Sequence, residues 1–157
     1  MRRDPHAHAL RQGRFSQVGQ SYAITKCARE RRPVLHLPLG GQVPAAIIVE
    51  SILELQGRGM WSVYGYVVMP DHVHLALKLC HGELSVAMKS FSSFTSRKIN
   101  QLLGREGPFW QDGYYEHAFR GEKALLAYLE YMAFNPVRAG LATTPEEWPF
   151  EKILWGM

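Results

Sequence analysis

Residues 67–79 read VVMPDHVHLALKL, and the rest of the fold follows from how this stretch folds. To its left WSVYGYVVM (61–69) is rich in β-branched and aromatic residues, and to its right HVHLALKL (72–79) is a second apolar run. Two strand-like runs separated only by Pro70-Asp71 predict a hairpin whose second strand opens with both histidines. Side chains alternate along a strand, so His72 and His74 project to one face while Val73 enters the other. Imidazoles are costly to bury without partners. The pair can be hydrogen-bonded residues on a polar strand face, or it can present two ring nitrogens to one cation serving as Lewis acid on a phosphoryl oxygen.

Outward from the hairpin, SYAITKCARE (21–30) reads as a first strand ending in the basic run RERR. VPAAIIVESILELQGRG (43–59) reads as a helix, with Pro44 in its first turn, Ile48, Ile52 and Leu55 on one face, and Gly57 stopping it. ELSVAMKSFSSFTSRKINQLL (83–103) is a second amphipathic helix: Leu84, Met88, Phe91, Thr95, Ile99 and Leu102 share a stripe, and Lys89, Arg97 and Lys98 lie off it. YYEHAFR (114–120) is a short strand, and EKALLAYLEYMAFN (122–135) a third helix ended by Pro136. The order predicts an α+β fold of ferredoxin-like plan: an antiparallel sheet with helices on one face and the histidines on a central strand.

A chain of 157 residues has room for one domain with a full core, so 1–157 is read as a single unit. Residues 1–13 are expected to be loosely ordered and 143–157 to form a C-terminal tail, with Trp148 and Trp155 packing on the core or helping to position DNA. No apolar run approaches the length of a membrane span and the N-terminus has no apolar segment of secretory type, so the cytoplasm is the expected location. Cys27 and Cys80 lack metal-ligand spacing and read as reduced core residues. A net charge of +4 favours anionic partners, nucleic acid first among them.

Two kinds of phosphate chemistry fail on the residues themselves. A His-x-His-x-His nucleophile would need a third histidine where Ala76 stands, and a two-histidine phosphoesterase would need Ser or Thr two places after His74, again Ala76. Along AYLEYMAFNP, by contrast, Tyr128, Tyr131 and Asn135 share one helical stripe beside an apolar one of Leu125, Leu129 and Met132. Asn135 can offer a neutral oxygen to a metal and Tyr131 a nucleophile. The tyrosines can equally be half-buried packing residues with hydroxyls at the surface.

PDHVHLAL, then FWQDGYYEHAFR, then YMAFNPVRAGL, with EEWPF near the C-terminus, together resemble the single-tyrosine HUH transposases, in particular the REP-associated tyrosine transposases. The resemblance runs over roughly residues 14–150. It implies a strand-cleaving and rejoining enzyme acting on single-stranded DNA folded into an imperfect hairpin. A divalent cation, Mg²⁺ or Mn²⁺, is implied at His72, His74 and Asn135. Tyr131 is implied as the nucleophile that forms a 5′-phosphotyrosine and frees a 3′-hydroxyl, with Tyr128 as the second choice. A phenol is nearly all protonated at neutral pH, so the metal or a nearby base must help it ionise. DNA contacts are expected from Lys89, Arg97 and Lys98, with Arg120 and Arg138 flanking the tyrosine helix; His117 is open between a structural and a DNA-contacting role. The group includes both dimers and monomers, and a monomer is expected here. Two other readings stand beside this one: a non-catalytic DNA-binding protein or repressor of hairpin repeats on the same fold, and a metal-dependent nuclease that uses water.

Overall fold

The computed structural model describes residues 16–154. Five strands, β1 (Ser21–Cys27), β2 (Trp61–Val68), β3 (His72–Leu79), β4 (Tyr115–Ala118) and β5 (Glu151–Ile153), form one sheet in the order β4-β1-β3-β2-β5. Every neighbouring pair is antiparallel. The helices are α1 (Pro44–Gly57), α2 (Leu84–Leu103), α3 (Glu122–Ala133) and the single turn α4 (Asn135–Arg138). Strands β1 to β4 with α1 and α2 make the expected ferredoxin-like unit, in which β3 lies between β1 and β2. The predicted hairpin is present, closed by Met69 N–H donating to the His72 carbonyl at 2.8 Å.

Both faces of the central strand are covered. Val73, Leu75, Leu77 and Leu79 pack with Ile48, Ile52, Leu84, Met88 and Phe91 of α1 and α2. Ala76 points the other way and joins Ala23, Val67, Leu125, Leu129 and Met132, so α3 lies on the opposite face. The expectation of helices on one face therefore holds for α1 and α2 and fails for α3. A strand buried on both sides reads as a continuous apolar run, and periodicity does not say which side each helix takes. Each large side chain fully buried in the first layer contributes about 1.5–3 kcal/mol. Polar atoms inside that layer are paired: Trp61 Nε1–H donates to Ile52 O at 3.0 Å, and Trp110 Nε1–H to Thr95 Oγ1 at 2.9 Å.

Three further expectations change. The segment read as a tail supplies β5, which pairs with β2 through Gly65, Tyr66 and Val67; three residues are too few to show a strand period. Gly65 adjoins an irregularity in β2 and lets β5 come close, since a Cβ there would stand 2.8 Å from Ile153 Cδ1 and 3.0 Å from the Lys152 carbonyl oxygen. Pro136 does not end helical structure but sits in the first turn of α4, where its missing N–H does no harm. Cys27 is a free thiol in the core as expected, whereas Cys80 is free and exposed just past the end of β3. Residues 1–13 and Trp155 lie outside the described residues.

Candidate active site

The register of β1 against β3 builds the site. Cys27 stands opposite His72, Thr25 opposite His74 and Ala23 opposite Ala76, and this row of residues faces α3. The two Nε2 atoms are 3.0 Å apart. His72 Nδ1–H donates to Asp71 Oδ1 at 2.6 Å, and Asp71 Oδ2 accepts from Arg31 Nε–H at 2.8 Å. Thr25 Oγ1 lies 3.1 Å from His74 Nδ1. Each imidazole thus spends Nδ1 on an oxygen partner and turns Nε2 inward.

Electrostatics agree with that geometry. Burial, with His72 and Arg138 adding to it, lowers His74 to about 3. Burial likewise lowers His72, although Asp71 pulls the other way. Burial opposes ionisation of Asp71, yet the hydrogen bonds from His72 and Arg31 outweigh it and hold the carboxyl below its ordinary value. Both shifts favour the neutral imidazole, the form a metal ligand needs.

The donor set suits a divalent cation, which His72 and His74 would hold through their two inward Nε2 atoms, 3.0 Å apart. Oxygen partners on the remote ring nitrogens are the usual means of fixing the tautomer and orientation of ligating histidines. Among the described residues no group of three or more His, Cys, Asp or Glu gathers at one point.

The tyrosine helix brings a second cluster alongside. Tyr131, in the last turn of α3, is 58% exposed. The Arg138 guanidinium carbon lies 3.7 Å from its ring centre, and Arg138 Nη2 donates to Asn135 Oδ1. Arg138 is also close enough to His74 for its charge to disfavour protonation there. The amide oxygen expected to bind metal is thus engaged by Arg138, and no hydrogen bond joins Asn135 to either imidazole among the described residues. Tyr128 is half-buried, 5.2 Å between ring centres from Phe119 and 6.4 Å from Tyr131. Its phenol is raised by burial and by Tyr131, while the nearby Thr25 hydroxyl acts in the opposite direction.

The expected DNA contacts are scattered. Lys89, Arg97 and Lys98 are exposed on α2, across the sheet from the histidines, with Arg97 and Lys98 each 5.9 Å from the Phe94 ring centre. Arg120 is exposed ahead of α3, at the end of the sheet where Ser21 pairs with Lys78. His117 is exposed on β4, on the histidine face, beside Phe119. Only Arg138 joins the site. Sequence reasoning missed Asp71, Thr25 and Arg31. Asp71 was visible next to His72, Arg31 lay in a basic run noted only for its charge, and Thr25 becomes a partner solely through strand register.

The sheet, the inward-facing histidine pair and the tyrosine helix beside it define the class, and comparison with known proteins defines the family. Residues 16–133 match the family described as IS200-like transposases, and the chain belongs to that family. Asn135 and Arg138 fall just beyond the matched span. The chain is 26% identical over 103 residues to the REP-associated tyrosine transposase of Escherichia coli, covering 64% of this chain and 59% of that protein. A Haemophilus influenzae protein given the same description provisionally is 29% identical over 97 residues, covering 55% of each. The aligned part thus spans little more than half the length of these curated relatives. Among solved structures, a REP-associated tyrosine transposase bound to a REP hairpin superposes with a TM-score of 0.72 at 23% identity, over 88% of this chain and 79% of that one. A Deinococcus radiodurans structure assigned provisionally as a transposase gives 0.52 at 17%, over 74% and 91%. At these identities the two structures establish the shared fold. No helix among the described residues is long and apolar enough to cross a membrane.

Proposed function

We propose that the chain is a metal-dependent transposase that cuts and rejoins single-stranded DNA carrying a hairpin, through a 5′-phosphotyrosine on Tyr131. The observation that carries this reading is the pair of imidazoles with Nε2 atoms 3.0 Å apart, beside a Tyr131–Arg138–Asn135 cluster whose charge is felt at His74. That proximity arises within one chain and supports a site completed without a second copy.

His72 and His74 would hold a divalent cation, Mg²⁺ or Mn²⁺, with Asn135 adding its amide oxygen once Arg138 lets it go. When bound, the ion supplies Lewis-acid polarisation of the scissile phosphate. Thr25 and Asp71 keep the two rings in the ligating orientation. Tyr131 Oη, exposed to an incoming strand, attacks phosphorus as its proton passes to solvent; a P–O bond to tyrosine forms as the bond to O3′ breaks, and the departing 3′ oxygen takes up a proton from solvent. The ester so formed keeps the phosphodiester energy for rejoining to another 3′-hydroxyl. Arg138, freed from Asn135, can neutralise the phosphate charge.

The test is incubation with Mg²⁺ or Mn²⁺ and a single-stranded hairpin oligonucleotide, followed by denaturing electrophoresis. A denaturation-resistant adduct that disappears in Tyr131→Phe while hairpin binding persists is the expected result. An adduct that survives in Tyr131→Phe and is lost in Tyr128→Phe moves the nucleophile to Tyr128. Cleavage without an adduct assigns a water-using nuclease, and binding without cleavage a repressor.

A further inference from the structure

We propose that Arg31 is a positioning residue for the histidine pair: acting through Asp71, it holds His72 in the tautomer that leaves the Nε2 lone pair turned toward His74. The inference rests on reading that pair as a cation site.

The backbone around Arg31 is built at a cost. Glu30 and Arg31 both have positive φ, 59° and 53°, and such angles are uncommon for residues other than glycine. Two in succession are strained and persist only where surrounding contacts over-determine them. Those contacts converge on the hairpin turn that carries Asp71. Ala28 N–H donates to the Asp71 carbonyl at 2.9 Å, and Leu35 N–H to the Pro70 carbonyl at 3.0 Å, so the 28–35 segment clasps the turn from both sides.

The left-handed turn then brings the Arg31 side chain back onto the same turn. Its Nε–H takes Asp71 Oδ2 at 2.8 Å and its Nη1–H reaches Cys27 Sγ at 3.3 Å, Cys27 being the cross-strand neighbour of His72. A carboxylate with one oxygen fixed in this way has its other oxygen, Oδ1, aimed at His72 Nδ1. Without Arg31 the carboxylate is free to rotate about its last torsion, and the ring loses the partner that selects its tautomer. A mere surface ion pair needs none of this, because Arg and Asp side chains pair readily from unstrained backbone. Arg31 side-chain exposure of 39% leaves it in reach of solvent, so an effect on metal has to be told apart from a contact with DNA.

The experiment uses the full chain and two readouts. In metal-free protein, long-range ¹H–¹⁵N spectra of the imidazoles report the tautomer: His72 is expected to be protonated at Nδ1 alone, and Arg31→Ala to show both tautomers in exchange. By titration calorimetry Mn²⁺ affinity should fall about tenfold or more in Arg31→Ala, with hairpin affinity changed less than about twofold. Arg31→Gln, whose amide can still donate to Asp71, should recover part of the loss and guards against a folding defect in the alanine variant. An unchanged His72 tautomer in Arg31→Ala overturns the proposal, as does a loss of hairpin affinity with the tautomer kept, which would make Arg31 a phosphate contact. A native protein that binds no Mn²⁺ would sink the cation reading, whereas the tautomer spectrum would still decide the part played by Arg31.

Discussion

Arg138 lies over the ring of Tyr131, its guanidinium carbon 3.7 Å from the ring centre, and the same guanidinium holds the amide oxygen of Asn135. One cation thus spans the expected nucleophile and the expected oxygen ligand. Arg138→Ala should cost less than about 1 kcal/mol in stability, since a cation–π contact at an exposed site is worth about 0.5–1 kcal/mol. It should weaken hairpin binding and lower the slope of log affinity against log salt by nearly one, as expected for one lost phosphate partner. Binding isotherms at several salt concentrations measure this; an unchanged slope would mean that Arg138 meets no phosphate.

Thr25 is the only side-chain partner of His74 Nδ1 among the described residues. Thr25→Val keeps the β-branched shape and removes the hydroxyl, so the strand and its pairing should survive. Mn²⁺ affinity is expected to fall about tenfold, the lower end of what loss of such an orienting partner costs. Calorimetry against the unmodified chain decides it, and equal affinities would show that packing alone orients the ring.

Protons should act on this fold in two windows of opposite sign. His74 is depressed to about 3, chiefly by burial, so below its ordinary value of 6.5 an unfolded chain takes up a proton that the folded one refuses. That contribution to stability is present above pH 6.5 and is lost on acidification, by at most about 1.4 kcal/mol per unit. Glu151 is raised to about 7 by burial, with Glu146 adding to the shift, and its Oε2 is buried without a hydrogen-bond partner among the described residues. Its contribution is complete below 4.5 and is lost as pH rises through 7. Denaturant unfolding across pH 4–8 should therefore find that His74→Leu gains on the native chain toward acid. Glu151→Gln should gain toward pH 8, by about 1 kcal/mol after allowing for its partial exposure. Parallel profiles for variant and native chain would contradict either assignment.

Gly65→Ala should destabilise by about 1–3 kcal/mol, because the added Cβ meets the Lys152 carbonyl of β5 at 3.0 Å and backbone cannot swing aside as a side chain can. Hydrogen exchange at the amides of β5 should rise well before that of β3. Equal protection in the variant would show that β5 shifts without strain.

Much of this was legible in the sequence. The hairpin, its paired histidines and the stripes of α1, α2 and α3 depend on local periodicity, which a sequence carries directly. Thr25 beside His74 depends on a register set between residues 49 positions apart, and the two-sided burial of β3 on which helix takes which face; neither leaves a local trace. Arg31 was hidden for another reason: a left-handed turn at Glu30-Arg31 runs against the preference of both residues, and only the contacts around it make it affordable.

The two faces of the sheet divide the protein's tasks. On one side, Val73, Leu75 and Leu77 lock into α1 and α2; on the other, His72 and His74 look toward the helix that bears Tyr131. Because odd and even positions of a single strand serve these separate ends, side chains on the histidine face can change while the layer behind them goes on folding the chain unchanged.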